Sequence, residues 1–153
     1  IIIAALVSVV IAFIWFNPKV FGNTLRRESG ISIENVRKTN YAVPIIMSLI
    51  YAFFIAMMMH PIVIHQAGAV AATQNITGVD ASVLQNYLNA YGDTYRSFKH
   101  GALHGFIAGL FFALPVIGVP ALHEKRSWKY VLITGGYWIF TCMIMGSIIC
   151  GWR

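Results

Sequence analysis

Residues 100–152 read HGALHGFIAGLFFALPVIGVPAL, then HEKRS, then WKYVLITGGYWIFTCMIMGSIICGW. Each long run exceeds the ~20 residues needed to cross a hydrocarbon core of ~30 Å. Neither run carries a charge in its middle, and neither alternates with the period of two that a barrel strand requires. In lipid every backbone N–H and C=O must bond within its own segment, so each run predicts a membrane helix. The short turn His123-Glu124-Lys125-Arg126-Ser127 makes the two helices an antiparallel hairpin.

Two further apolar runs lie upstream. Tyr41 to Ile64 is uncharged; Pro44 sits in its first turn, and His60-Pro61 marks a kink or the end. Ile1 to Phe16 is also uncharged. Its rise of about 24 Å falls short of the hydrocarbon core, so further residues are expected before Ile1. Trp15 and Phe16 stand at an aromatic belt, and Asn17-Pro18 is expected to end the helix. The spans are therefore about 1–16, 41–64, 100–122 and 128–152, in a single domain of residues 1–153. The predicted fold is all-α, an integral membrane four-helix bundle.

Two connectors complete the chain. Residues 17–40 contain Gly30, a candidate N-cap at Ser32, and Glu34 in the first turn of an expected short surface helix. In the 65–99 connector the stretch from Gln66 to Thr77 reads as a polar loop, with Asn75-Ile76-Thr77 matching a glycosylation acceptor. Asp80 then caps a short amphipathic helix whose stripe is Val83, Leu84, Tyr87, Leu88 and Tyr91, and Gly92 stops it.

Composition agrees with this layout. The 153 residues are 58% hydrophobic and 10% charged, where soluble domains carry roughly 25% charged residues. The formal charge of +6 is placed by topology and not by nucleic acid, because the basic residues cluster in the connectors. Lys19, Arg26, Arg27, Arg37, Lys38, Lys125, Arg126 and Lys129 lie on one side, against Arg96, Lys99 and Arg153 on the other. The positive-inside rule puts loops 17–40 and 123–128 in the cytoplasm, and the 65–99 loop and both termini outside. Cys142 and Cys150 are eight residues apart on one helix, a rise of about 12 Å, too far to bridge.

Side chains that carry chemistry are few. The spans hold no Asp, Glu, Lys or Arg in their middle, which argues against a pump or ion-coupled transporter. No catalytic set, phosphate loop or Cys-x-x-Cys is present, so no enzyme is expected. Four histidines gather at one membrane face: His60 and His65 end the second span, and His100 and His104 open the third at i, i+4 spacing on one helix side. Such a set can ligate a metal ion or haem iron, and Met57, Met58 and Met59 add thioethers suited to copper(I). Interfacial histidines also commonly bond only waters, headgroups and backbone carbonyls.

The third span carries a second pattern: Gly101, Gly105, Gly109 and Ala113 recur every four residues, a ridge that admits another helix closely. Thr134, Cys142, Gly146 and Cys150 give the fourth span a similar rhythm. The ridge serves either the third and fourth helices of this chain or another subunit. Pro115 and Pro120 predict a kink late in the third span. A polar path for a channel is assembled only from Ser48, Tyr51, Thr134, Thr141 and Ser147.

Two stretches carry a family likeness. Trp15-Phe16-Asn17-Pro18-Lys19-Val20-Phe21-Gly22 resembles the aromatic-aromatic-x-Pro-x-x-Phe-Gly signature of the bacterial membrane family catalogued as domain of unknown function 1761. Gly105 to Pro120, Lys125-Arg126-Ser127-Trp128-Lys129 and Gly136-Tyr137-Trp138 are similar to its closing pattern. The 65–99 connector is longer and more polar than that family's layout. The resemblance implies a small four-helix protein of the bacterial inner membrane, without an assigned activity. It makes Trp15, Pro18, Phe21, Gly22, Trp128, Tyr137 and Trp138 structural residues at the interface. The sequence thus predicts a non-enzymatic accessory subunit of a membrane assembly or homo-oligomer, in contact with lipid, with itself or other membrane subunits, and not with nucleic acid. The alternatives are a metal- or haem-binding membrane protein and a passive channel or small-solute carrier.

Overall fold

The computed structural model describes residues 1–38, 40–73 and 80–152. The described residues form helices joined by short turns. In chain order these are α1 (Ile2–Trp15), a π-helical turn (Pro18–Gly22), α2 (Asn23–Ser29), α3 (Ile33–Lys38), α4 (Ala42–Val63), α5 (His65–Thr73), α6 (Ala81–Tyr91) and α7 (Phe98–Ala108). A π-helical segment (Gly109–Ala113), α8 (Leu114–His123) and α9 (Trp128–Gly151) follow. Three helices are long and apolar enough to cross a membrane: Ala42–Val63, Phe98–His123 and Trp128–Gly151. A fourth span is completed if Ile2–Trp15 and Pro18–Ser29, bent by 49°, count as one. The molecule is an all-helical membrane bundle.

Helix α9 is the centre. It packs against α1, α4, α7 and α8, and Val131, Tyr137, Thr141, Met145, Gly146 and Cys150 on it are buried. The outer faces of α1 and α4 are apolar and exposed, as at Phe13, Ile14, Val43 and Met58. A helix apolar on all sides needs a lipid solvent.

The hairpin turn forms as expected. Ser127 caps α9, its Oγ accepting from the Tyr130 N–H at 3.1 Å, and Ser127 also donates to Glu28. Arg126 donates to the Ser29 carbonyl at 3.0 Å. These two bonds fasten α2 to the turn. The N-caps at Ser32 and Asp80 are formed as well: Ser32 Oγ accepts from the Asn35 N–H at 3.2 Å, and Asp80 Oδ1 from the Ser82 N–H at 2.8 Å.

The structure bears on several further expectations. Asn17-Pro18 ends α1 as expected, after Trp15, and the chain turns by 49° into Pro18–Ser29. Asn17 Oδ1 accepts from the Lys19 N–H, its carbonyl accepts from the Gly22 N–H at 3.0 Å, and the chain winds on into α2. A proline lacks only its own N–H, which the first turn of a helix leaves unbonded anyway. The stretch after Gln66 is not loop at its start, since α5 runs to Thr73; alanines at 67, 69, 71 and 72 supply helix propensity without amphipathicity. The glycosylation match 75–77 lies outside the described residues. The third span is relieved through a π segment: Leu114 N–H donates to Gly109 O, five residues back, one turn before Pro115. An added residue in the turn offsets the bond that Pro115 cannot make.

Candidate metal centre

The chain break after α4 builds the site. Pro61 lies inside the last turn of α4. Ile64 then leaves helical geometry at φ −113°, and its N–H caps onto the His60 carbonyl at 3.0 Å. His65 therefore starts a new helix, α5, and faces α7. On α7, Ser97 caps the first turn by accepting from the His100 N–H at 3.2 Å. His100 and His104 follow on one face, one turn apart.

Three imidazoles meet there. The ligand nitrogens of His65, His100 and His104 all lie within 4.8 Å of one another. His65 Nε2 and His100 Nε2 are hydrogen-bonded at 2.9 Å. Ring centroids are 5.0 Å apart for His65–His104 and 4.4 Å for His100–His104. His65 is exposed, and His100 and His104 are half-buried. Among the described residues no cysteine or carboxylate joins this group.

The surroundings hold the cluster in place. Gln66, buried beside His65, donates to the Tyr91 and Thr94 carbonyls at 2.7 and 2.9 Å. This ties α5 to the loop that leads into α7. Tyr95 in that loop stacks on His100 at 5.1 Å and 21°, and meets His65 edge-on at 6.1 Å. Its backbone sits at φ +63°, a region that L residues other than Asn and Asp seldom adopt. The next residue, Arg96, caps the end of α9 by donating to the Cys150 and Trp152 carbonyls at 2.9 and 3.1 Å. Cys150 Sγ donates to the Tyr95 carbonyl at 3.4 Å.

The fourth expected ligand is elsewhere. His60 lines a separate pocket of about 350 Å³ with Arg96, Ile64, Ile149 and Trp152. On one continuous helix, residues five apart point about 140° away from each other, and the break at Ile64 turns only His65 toward α7. The thioethers are apart too. Met58 and Met59 line an apolar groove with Phe112, Val116 and Trp138, and Met57 is exposed.

Three imidazoles without a thiolate or carboxylate suit a borderline divalent ion such as Zn(II), Cu(II), Ni(II) or Co(II). Ligand nitrogens about a tetrahedral ion at ~2.0–2.1 Å stand about 3.3 Å apart, so closing the observed triangle takes side-chain shifts of about an ångström. Haem fits poorly. Its axial ligands must face each other across a macrocycle, and His65 and His100 are in direct contact.

The remaining expected residues lie in the packing. A Cβ on Gly101 would meet the Gly146 carbonyl, one on Gly105 the Cys142 carbonyl, and one on Gly109 the Ile139 backbone. Gly146 in turn faces Gly101 and Gly105. This ridge is filled by α9 of the same chain. Ala113 is off it, because the π segment advances the register and turns Ala113 into the apolar groove. Trp15 donates its indole N–H to the Ile133 carbonyl at 3.0 Å and packs on Phe21 at 4.7 Å. Tyr137 donates to the Ser8 carbonyl at 3.1 Å, Trp138 lies against it, and Trp128 is exposed. Pro18 opens the π turn, and Gly22 closes it where a Cβ would strike the Phe16 carbonyl. Of the residues proposed for a channel, Tyr51 is exposed on α4, and Thr134 bonds back to the Tyr130 carbonyl.

Sequence reasoning missed Gln66 and Tyr95. Both act through positions that only the folded loop supplies, and no spacing in the sequence signals them.

No curated protein and no solved structure matches this chain. The match of residues 1–150 is to the family described as a protein of unknown function, DUF1761, and the chain belongs to that family.

Proposed function

We propose that this chain is a non-enzymatic membrane protein that binds a divalent first-row cation between His65, His100 and His104. The convergence of three ring nitrogens from two separate helices within 4.8 Å carries the reading. Ligands from α5 and α7 preassemble the site, and Gln66 and Tyr95 brace it from either side. The charge distribution of the connectors favours an orientation with this face outside a bacterial inner membrane and loops 17–40 and 123–128 in the cytoplasm. An assembly-subunit role has less support, because the glycine ridge that would receive a partner is occupied by α9.

The test is elemental analysis of protein purified in mild detergent without chelator, followed by Zn(II) titration. The wild type and His60→Ala are expected to bind near-stoichiometric metal, and His65→Ala, His100→Ala and His104→Ala to lose it. If the latter three bind as the wild type does, the reading is wrong. Impermeant thiol labelling of Ser82→Cys and Lys125→Cys in intact cells decides the orientation: only the first is expected to react.

A further inference from the structure

The three-histidine reading leaves one coordination position open. We infer that this fourth position takes a small exogenous anion, with Tyr95 as the wall that sets its size. The inference rests on the metal reading above.

Three features carry it. First, a divalent ion on three neutral imidazoles keeps its full double charge, and three-ligand sites characteristically hold a water or exogenous ligand in the fourth place. Among the described residues no other His, Cys, Asp or Glu stands in the group, and residues 39, 74–79 and 153 are of none of these types. Second, the local field favours negative charge. His100 lies in the first turn of α7, at the positive end of its dipole, His104 follows one turn on, and Lys99, next to His100 in the chain, is exposed. Asp93 is the carboxylate on the same loop, and it is not part of the cluster. Third, the triad is open to solvent with one aromatic ring against it. His65 is exposed, so solvent reaches the triad, and the Tyr95 ring covers His100 face-on and His65 edge-on. The left-handed backbone at Tyr95 and the bonds to its carbonyl from Cys150 Sγ and the Ser97 N–H hold that ring against the imidazoles. A compact anion passes such a wall more readily than a bulky one.

The measurement is the visible spectrum of the Co(II)-loaded full chain in detergent, titrated with azide and then thiocyanate. The expected result is a tetrahedral Co(II) spectrum that shifts on azide addition and saturates. Tyr95→Ala is expected to keep Co(II) and to lower the thiocyanate concentration at half-saturation relative to that of azide. A chain that takes up no Co(II) overturns the metal reading and the inference with it. A chain that binds Co(II) with a spectrum indifferent to azide overturns the inference alone. Should azide act only on Tyr95→Phe, the phenol itself fills the fourth position, and the inference is overturned in favour of a four-ligand site.

Discussion

Trp15 looks like a belt residue in the sequence, at the end of an apolar run. In the fold its indole N–H reaches the Ile133 carbonyl at 3.0 Å, and its ring packs on Phe21 and Phe140. Trp15→Phe keeps an aromatic ring and removes that bond, so it should cost about 0.5–1.5 kcal/mol, read as a lower midpoint in detergent unfolding. Asp80 gives a residue-scale pH effect. The Ser82 backbone N–H, and then its hydroxyl, hold the Asp80 carboxyl below its ordinary value of 3.8. A carboxylate lowered in the folded state stabilises above its unfolded pKa and loses that contribution as pH falls through the folded value. The amides of α6 should therefore exchange faster in Asp80→Ala than in wild type at neutral pH. That difference should shrink once the pH drops below 3.8.

Among the elements, α7 and α9 make the closest approach, and the glycines there are not equivalent to those elsewhere. A Cβ at Gly105 would collide with the Cys142 backbone, whereas one at Gly118 meets only Val131 Cγ1 at 3.7 Å. Gly105→Ala should destabilise by about 1–3 kcal/mol through forced separation of the helices. Gly118→Ala should be neutral or stabilising by up to ~1 kcal/mol from helix propensity. Thermal unfolding in one detergent compares the pair directly, and equal effects would contradict the packing described. The four-residue rhythm from Gly101 to Gly109 was legible in the sequence, and so was its purpose of close approach. Its failure at Ala113 was not, because the π segment changes the register within an unbroken apolar run.

At the scale of the whole molecule, a cation held as proposed would couple its binding to the placement of the 65–97 connector. Helix α5 packs on α4 and α6 and reaches α7 through His65. A cation shared by His65, His100 and His104 would therefore join α5 to the bundle. Metal at a hundredfold excess over its dissociation constant should stabilise the folded chain by about 2.7 kcal/mol. This is read as a rise in unfolding midpoint that His104→Ala abolishes. Limited proteolysis of the 65–97 region should slow in parallel, and a midpoint indifferent to metal would separate this region from the site.

Sequence alone determined the membrane class, the hairpin of residues 100–152, the caps at Ser32 and Asp80, and the pairing of His100 with His104. These are local facts: hydrophobic length, a side-chain oxygen near the next N–H groups, and the 3.6-residue turn that stacks i on i+4. Tertiary structure decided which other histidine joins them. His60 and His65 are equal candidates by position, and the break at Ile64, after Pro61, turns one toward α7 and leaves the other in a different pocket. Helix breaks, π segments and contacts such as Gln66 to Tyr91 depend on what the folded chain places opposite each group. That information is spread over residues far apart in the chain, and no single window of sequence contains it.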